Sequence, residues 1–152
     1  MLGLIIKEFD LSDAQYYMTI NLNRAQELEN GVSPAVFRMV PGYIPHVCKF
    51  GVFELKQAYG FTGPLMVFDA NCVKTLKNMP STNKKYFYVW DLEWLYINQA
   101  YEENVKIYQD DSIELIARSK PHYDLLSKCW KNPVGIVEDF NYEQLNKIIK
   151  TS

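Results

Sequence analysis

The sequence lacks most of what announces a phosphate- or metal-dependent enzyme. No GxGxxG follows its first apolar run and no GxxxxGK[ST] occurs anywhere, so neither a dinucleotide fingerprint nor a P-loop is available. A GxSxG nucleophile elbow and an HExxH pair are also absent. Cysteine is scarce: Cys48, Cys72 and Cys129 are an odd set without CxxC spacing, and only His46 lies near one of them. They read as free thiols in a reducing compartment, buried and structural, and neither a metal site nor a cofactor is expected from them. Histidine is scarcer still, leaving His46 and His122 as the only side chains whose ordinary pKa lies near neutrality. No apolar run approaches the roughly 20 residues of a membrane span. Residues 1–6 are too few for a signal peptide, with Lys7-Glu8 directly behind them. Sixteen basic and 18 acidic residues leave a net charge of −2 with the signs mixed along the chain. That balance gives no electrostatic footprint for a membrane or a nucleic acid, and neither is expected as a partner. The default is a soluble cytoplasmic protein.

What is present is apolar and aromatic. The 152 residues are 48% hydrophobic and 14% aromatic, enough for one domain with one sizeable core spanning residues 1–152. The organising stretch is residues 85–94, Lys-Tyr-Phe-Tyr-Val-Trp-Asp-Leu-Glu-Trp. Aromatic and β-branched residues suit a pleated surface, so residues 86–90 read as a strand. The apolar run is continuous, as in a strand of a parallel sheet covered on both faces.

Other strands are expected at residues 1–6, 35–40, 65–68, 113–117 and 133–137. Helical patterns fall between them. The first starts at Ser12 or Asp13 and carries a stripe of Ala14, Tyr17, Ile20, Ala25 and Leu28, with Asn30-Gly31 as its stop. Others cover residues 46–59, 71–79, 102–108, about 119–130 (with Pro121 in its first turn) and 142–149. Strand and helix alternate about six times without hairpin dipeptides, which favours parallel connections. The expected fold is α/β, Rossmann-like, with helices on both faces of a mostly parallel sheet.

Ligands of open parallel sheets sit beyond the carboxyl ends of the strands. Three acidic positions stand there: Asp69, Asp91 with Glu93, and Glu138 with Asp139. Such carboxylates can act as a general base or grip hydroxyl groups, or they can simply cap the next helix or turn. Asp91, set between Trp90 and Trp94, is costly to bury unless hydrogen-bonded. Trp90 and Trp94 suit either stacking on a sugar or base, or the core. His46, after a proline-rich loop, suits either a crevice or the plain surface. Arg118-Ser119 suits either an anion grip or an N-cap.

The C-terminal third resembles a family pattern. Residues 114–119 (Glu-Leu-Ile-Ala-Arg-Ser), a helical stretch over 123–130, and residues 133–141 (Pro-Val-Gly-Ile-Val-Glu-Asp-Phe-Asn) are similar to the end of the N-terminal domain of GT-B glycosyltransferases. Glu138-Asp139 stands where that family usually has Asn-Gly. Residues 89–92 resemble its preceding strand, and residues 88–94 are similar to segments of glycosyltransferase-like proteins from tailed phages of marine bacteria. The likeness covers residues 65–141, and residues 1–64 only by the order of elements. It departs at Lys7-Glu8-Phe9-Asp10, where the family has a glycine-rich turn, and residues 142–152 are too few for the donor-binding second domain.

The resemblance implies an acceptor-binding half that works with a nucleotide-sugar donor held through a partner chain or a second copy. Asp91 is then the first choice for the base, with Asp69 or His46 as alternatives. Trp90, Glu93, Trp94, Arg118, Ser119 and Glu138 are candidates for lining the substrate site. The other reading is a non-catalytic binding or assembly protein that kept the fold, as a homodimer or other homo-oligomer.

Overall fold

The computed structural model describes residues 1–28, 34–80, 82–96 and 101–152. Its strands are β1 (Gly3–Ile6), β2 (Ala35–Arg38), β3 (Gly51–Glu54), β4 (Leu65–Val67), β5 (Lys85–Val89), β6 (Glu114–Ala117) and β7 (Gly135–Ile136). All pair in parallel, in the order β3-β2-β1-β4-β5-β6-β7. The described helices are α1 (Asp13–Glu27), α2 (Leu55–Ala58), α3 (Val73–Lys77), α4 (Tyr101–Gln109), α5 (Lys120–Cys129) and α6 (Tyr142–Thr151). Two 3₁₀ turns, Ala70–Cys72 and Glu93–Leu95, follow β4 and β5.

Side chains alternate across each strand, so the sheet carries a core on each face. Leu4, Ile6, Val36, Met66, Tyr86 and Tyr88 pack under α1 and α6. Ile5, Phe37, Val67, Phe87, Val89 and Leu115 pack under α2 to α5. All five residues of β5 are buried, which is why its sequence is apolar at every position after Lys85. The Lys85 ammonium is satisfied by the Lys77 and Met79 carbonyls at 2.9 and 2.7 Å, where it closes the end of α3. Chain order runs outward from β1 in both directions, so β1 and β4 flank the topological switch point.

The expected helix over residues 46–59 is instead a turn at His46, strand β3 and the single helical turn α2. Period two wins there because Phe50 and Val52 join the α1-side core while Phe53 meets the Phe37 ring at 5.8 Å on the other face. The crossover from β2 to β3 therefore has no helix. It is tied to α1 by Asn23, whose amide donates to the Val47 carbonyl and accepts from the Lys49 N–H, both at 2.7 Å. Helix α1 begins at the expected Ser12 cap. Its buried stripe, however, is Ala14, Gln15, Met18, Leu22 and Ala25, and Ile20 and Leu28 face water. The expected stop at Asn30-Gly31, and Ser81 of the loop before β5, lie outside the described residues. So do residues 97–100, in the stretch where the sequence periodicity is least clear.

Behind β7 the chain turns through Asp139 and Phe140 at φ of 43° and 59°, and the Asn141 N–H closes onto the Glu138 carbonyl at 2.8 Å. Two left-handed residues at the centre of a turn are the type I′ pattern, made here without glycine. The conformation is held from several sides. Phe140 is buried against Tyr88, Phe68 and Trp90. Asn21 donates to the Asp139 carbonyl at 2.8 Å, and the Tyr88 hydroxyl donates to the Val137 carbonyl at 2.6 Å while accepting from the Phe140 N–H at 3.4 Å. Tyr88→Phe strips both buried backbone groups of this partner, and should cost about 1–3 kcal/mol in urea denaturation. A loss near zero would mean that the turn is held by packing alone.

Candidate functional site

A cavity of about 390 Å³ opens at the carboxyl ends of β1, β4 and β5, beside the first turn of α1. Its lining comes from four places. Ile6 ends β1 and Lys7, Glu8 and Asp10 follow it, while Ser12 caps α1 and Gln15 lies in its first turn. Phe68, Asp69 and Asn71 follow β4, and Trp90, Asp91 and Glu93 follow β5. Parallel strands entering the rim side by side bring these residues together although they are far apart in the chain. The expectation that Asp69, Asp91 and Glu93 share one edge therefore matches their placement.

Each carboxylate has a distinct setting. Asp69 caps the 3₁₀ turn behind β4, its Oδ1 accepting from the Asn71 N–H at 2.8 Å and the Asn71 amide at 2.9 Å. Capping and facing the crevice are thus compatible in one residue. Asp91 is exposed at the mouth. Glu93 opens the second 3₁₀ turn and is only partly exposed. Burial first, then the neighbouring charges of Asp69 and Asp91, push its carboxyl up to about 7, against a smaller lowering by a hydrogen bond from the Ala70 N–H. A carboxyl with that affinity can take up and release a proton near neutrality. Beneath it Cys72 is buried, and burial together with Asp69 raises its thiol to about 12, which leaves it un-ionised and unreactive.

In the loop between β1 and α1 the Asp10 and Ser12 N–H groups are taken up by side chains. Gln15, buried, accepts the Asp10 N–H at 2.9 Å and donates to the Glu8 carbonyl at 2.7 Å. Asp10 Oδ1 takes the Ser12 N–H at 2.9 Å, and Ser12 Oγ takes the Gln15 N–H at 3.4 Å. Among the described residues, five carboxylates line the cavity against the one cation of Lys7.

Farther along the same rim, an open depression after β6 and β7 is lined by Arg118, Ser119, His122, Glu138 and Asp139. Ser119 caps α5 by accepting the His122 N–H at 3.4 Å. Arg118 pairs with Asp139 at 3.3 Å and lies 3.7 Å over the Trp90 ring. Trp90 lines the crevice, with one flank under Arg118 and Phe140 stacked on it at 5.4 Å. Burial holds the His122 imidazole below its usual value, and Arg118 adds to this; the Val89 carbonyl and Asp91 pull the other way.

The site candidates thus divide. Asp69, Trp90, Asp91 and Glu93 meet in the crevice, and Arg118, Ser119 and Glu138 line the adjacent depression. Trp94 lines neither: it is 6% exposed, its ring 4.7 Å from Tyr108 and 5.8 Å from Trp130. His46 also lines neither, being exposed in the turn before β3, edge-on to Tyr43 at 6.1 Å. The acidic loop residues Glu8 and Asp10 and the buried Gln15 were not among the site candidates, although a polar run directly after an apolar first strand signals a strand-end loop. Among the described residues no three His, Cys, Asp or Glu side chains are arranged to hold a metal ion, and no described helix is long and apolar enough to cross a membrane.

Fold and site together define an α/β domain with an acidic crevice at its switch point. The chain matches no protein-family model, and no curated protein or solved structure is significantly similar to it.

Glu93 gives this site a pH signature. Its folded value of about 7 lies above the ordinary 4.5, so between those pH values the folded chain keeps a proton that the unfolded chain has released. Stability contributed by the protonated form is full at low pH and declines as pH rises through about 7. Glu93→Gln should leave stability at pH 4 unchanged and raise it at pH 8 by ~1–2 kcal/mol, allowing for solvent screening of a partly exposed group. Urea midpoints at the two pH values check this. Equal shifts at both would show that Glu93 ionises normally.

Proposed function

We propose that the crevice is the acceptor side of a GT-B-like sugar transfer: it binds a hydroxyl-bearing molecule, and a nucleotide-sugar donor is held by a second domain. The observation that carries this reading is a carboxyl poised near neutrality, Glu93, beside two further carboxylates in an open crevice at the switch point. Asp69 and Asp91 accept hydrogen bonds from ligand hydroxyls. Ionised Glu93 takes the proton of the attacking hydroxyl as its oxygen bonds to the anomeric carbon. The bond from that carbon to the donor diphosphate breaks with its electron pair, and the diphosphate leaves as an anion. This gives the base role to Glu93 rather than to Asp91, because burial and neighbouring charge act on Glu93. The acidic lining favours keeping the diphosphate outside this crevice, and the Asp10 and Ser12 N–H groups are already engaged.

Protein-observed NMR of the tryptophan indole signals, with a panel of simple sugars and polyols against UDP-glucose, provides the test. Sugar binding should perturb Trp90 and disappear in Asp91→Asn, while UDP-glucose alone leaves Trp90 unmoved. Tight seating of UDP-glucose on Trp90 would overturn the reading. With a donor half supplied, Glu93→Gln should slow transfer by about 10²–10⁴ while Asp91→Asn acts mainly on acceptor KM.

A second reading, a non-catalytic protein that assembles with its own copy, is favoured by the outer strand β3. Phe53 on that strand is 40% exposed, with Tyr43, Val47 and Tyr59 also open to water. Light scattering across a concentration series should then give a dimer that Phe53→Lys dissolves. A monomer at every concentration would remove this reading.

A further inference from the structure

Strand β3 ends the sheet on one side, pairing with β2 alone among the described residues. An edge strand holds out the N–H and C=O groups of every second residue as a template for another strand, and folded chains usually blunt such an edge. The opposite edge is blunted here: β7 is two residues long, and the Ile148 side chain of α6 lies 2.5 Å from where a Cβ on Gly135 would stand. β3 is not. It runs for four residues, Gly-Val-Phe-Glu, without proline and with Glu54 as its one charge. The crossover leading into it carries no helix among the described residues, and Val40, Tyr43, Ile44, Val47, Phe53 and Tyr59 are all exposed.

The strand is also complementary to itself. Gly51 and Phe53 share one face, and the Phe53 ring folds back to 2.7 Å from where a Cβ on Gly51 would stand. Val52 lies on the other face, against the core under α1. Residues opposite each other in a sheet share a face. A second copy paired antiparallel, about a two-fold axis at Val52, therefore sets each Phe53 across from the other copy's Gly51. A glycine opposite an aromatic leaves the ring room to cover the bare backbone. Lys49 and Lys56 flank the strand, and each is already paired, with Glu27 and with Glu54. The approach brings no bare ammonium groups together.

We propose that two copies join edge to edge through β3, antiparallel and centred on Val52, so that the two seven-stranded sheets become one. This deepens the self-assembly reading and rests on it. It also separates assembly from the crevice. A two-fold axis normal to the sheet reverses the strand direction, so the carboxyl rims, and the crevices on them, open at opposite ends of the dimer. Neither copy completes the other's site.

Light scattering, amide hydrogen exchange and cysteine cross-linking on the full chain test it. Exchange across residues 51–54 should slow several-fold as the protein concentration is raised through the dimer transition. In a Cys129→Ser background, which removes an exposed native thiol, Val52→Cys should give a disulfide-linked dimer several-fold faster than Phe53→Cys, because only residue 52 stands opposite itself. The Trp90 indole NMR signal should hold its position across the series. A dimer with unchanged β3 exchange and no Val52→Cys cross-link overturns edge pairing and leaves self-assembly through another surface standing. Faster linking of Phe53→Cys overturns edge pairing too, since it would mean contact through the aromatic face. A Trp90 signal that moves with concentration overturns the separation of assembly from the crevice. A monomer at every concentration overturns both this proposal and the self-assembly reading.

Discussion

Like charges forced to one edge are the constraint on which this molecule turns. Parallel strands must all end at the same rim, and β1, β4 and β5 deliver acidic residues there within one cavity. In water the carboxylates would separate and stay ionised. Held at strand ends they cannot, and the partly buried one, Glu93, keeps its proton to about pH 7. The backbone topology therefore sets the chemistry of the site before any ligand arrives.

The rim is rigid where the crevice needs a wall. Strand β5 is buried on both faces, so it has no freedom to tilt Asp91 or Trp90 away from the edge. Trp90 is clamped between Arg118 and Phe140, and Phe140 reaches that place only because the turn before α6 takes two left-handed residues. Packing a large aromatic ring offsets the cost of an unfavourable backbone, and the hydrogen bonds of Tyr88 and Asn21 hold the result. Strain, aromatic packing and the Arg118–Asp139 pair thus meet at the boundary between the crevice and its neighbouring depression.

Much of the fold was legible because the buried strands are short and continuously apolar, and because caps such as Ser12 and Ser119 sit where side-chain chemistry puts them. β3 was not. Phe50, Val52 and Phe53 fit a helical period as well as a strand, and only pairing with β2 decides between them. The α1 stripe erred for a similar reason: which of Ile20 or Met18 turns inward depends on the sheet and α6 beneath it, not on spacing alone. Asp69, Asp91 and Glu93 could be read as strand-end acids. The raised pKa of Glu93 could not, since it needs burial in the folded chain and the charge of Asp69 at the end of β4, distant in the chain.

By itself, then, the sequence determined an α/β chain with parallel strands and acidic tips, because apolar runs, turn residues and capping side chains act over a few neighbouring positions. Tertiary structure alone decided which acid holds a proton, which tryptophan reaches the crevice and which is sealed beside Tyr108, and that His46 stands apart from both rim cavities. Those outcomes depend on distances and burial created only when strands far apart in the chain come to lie side by side.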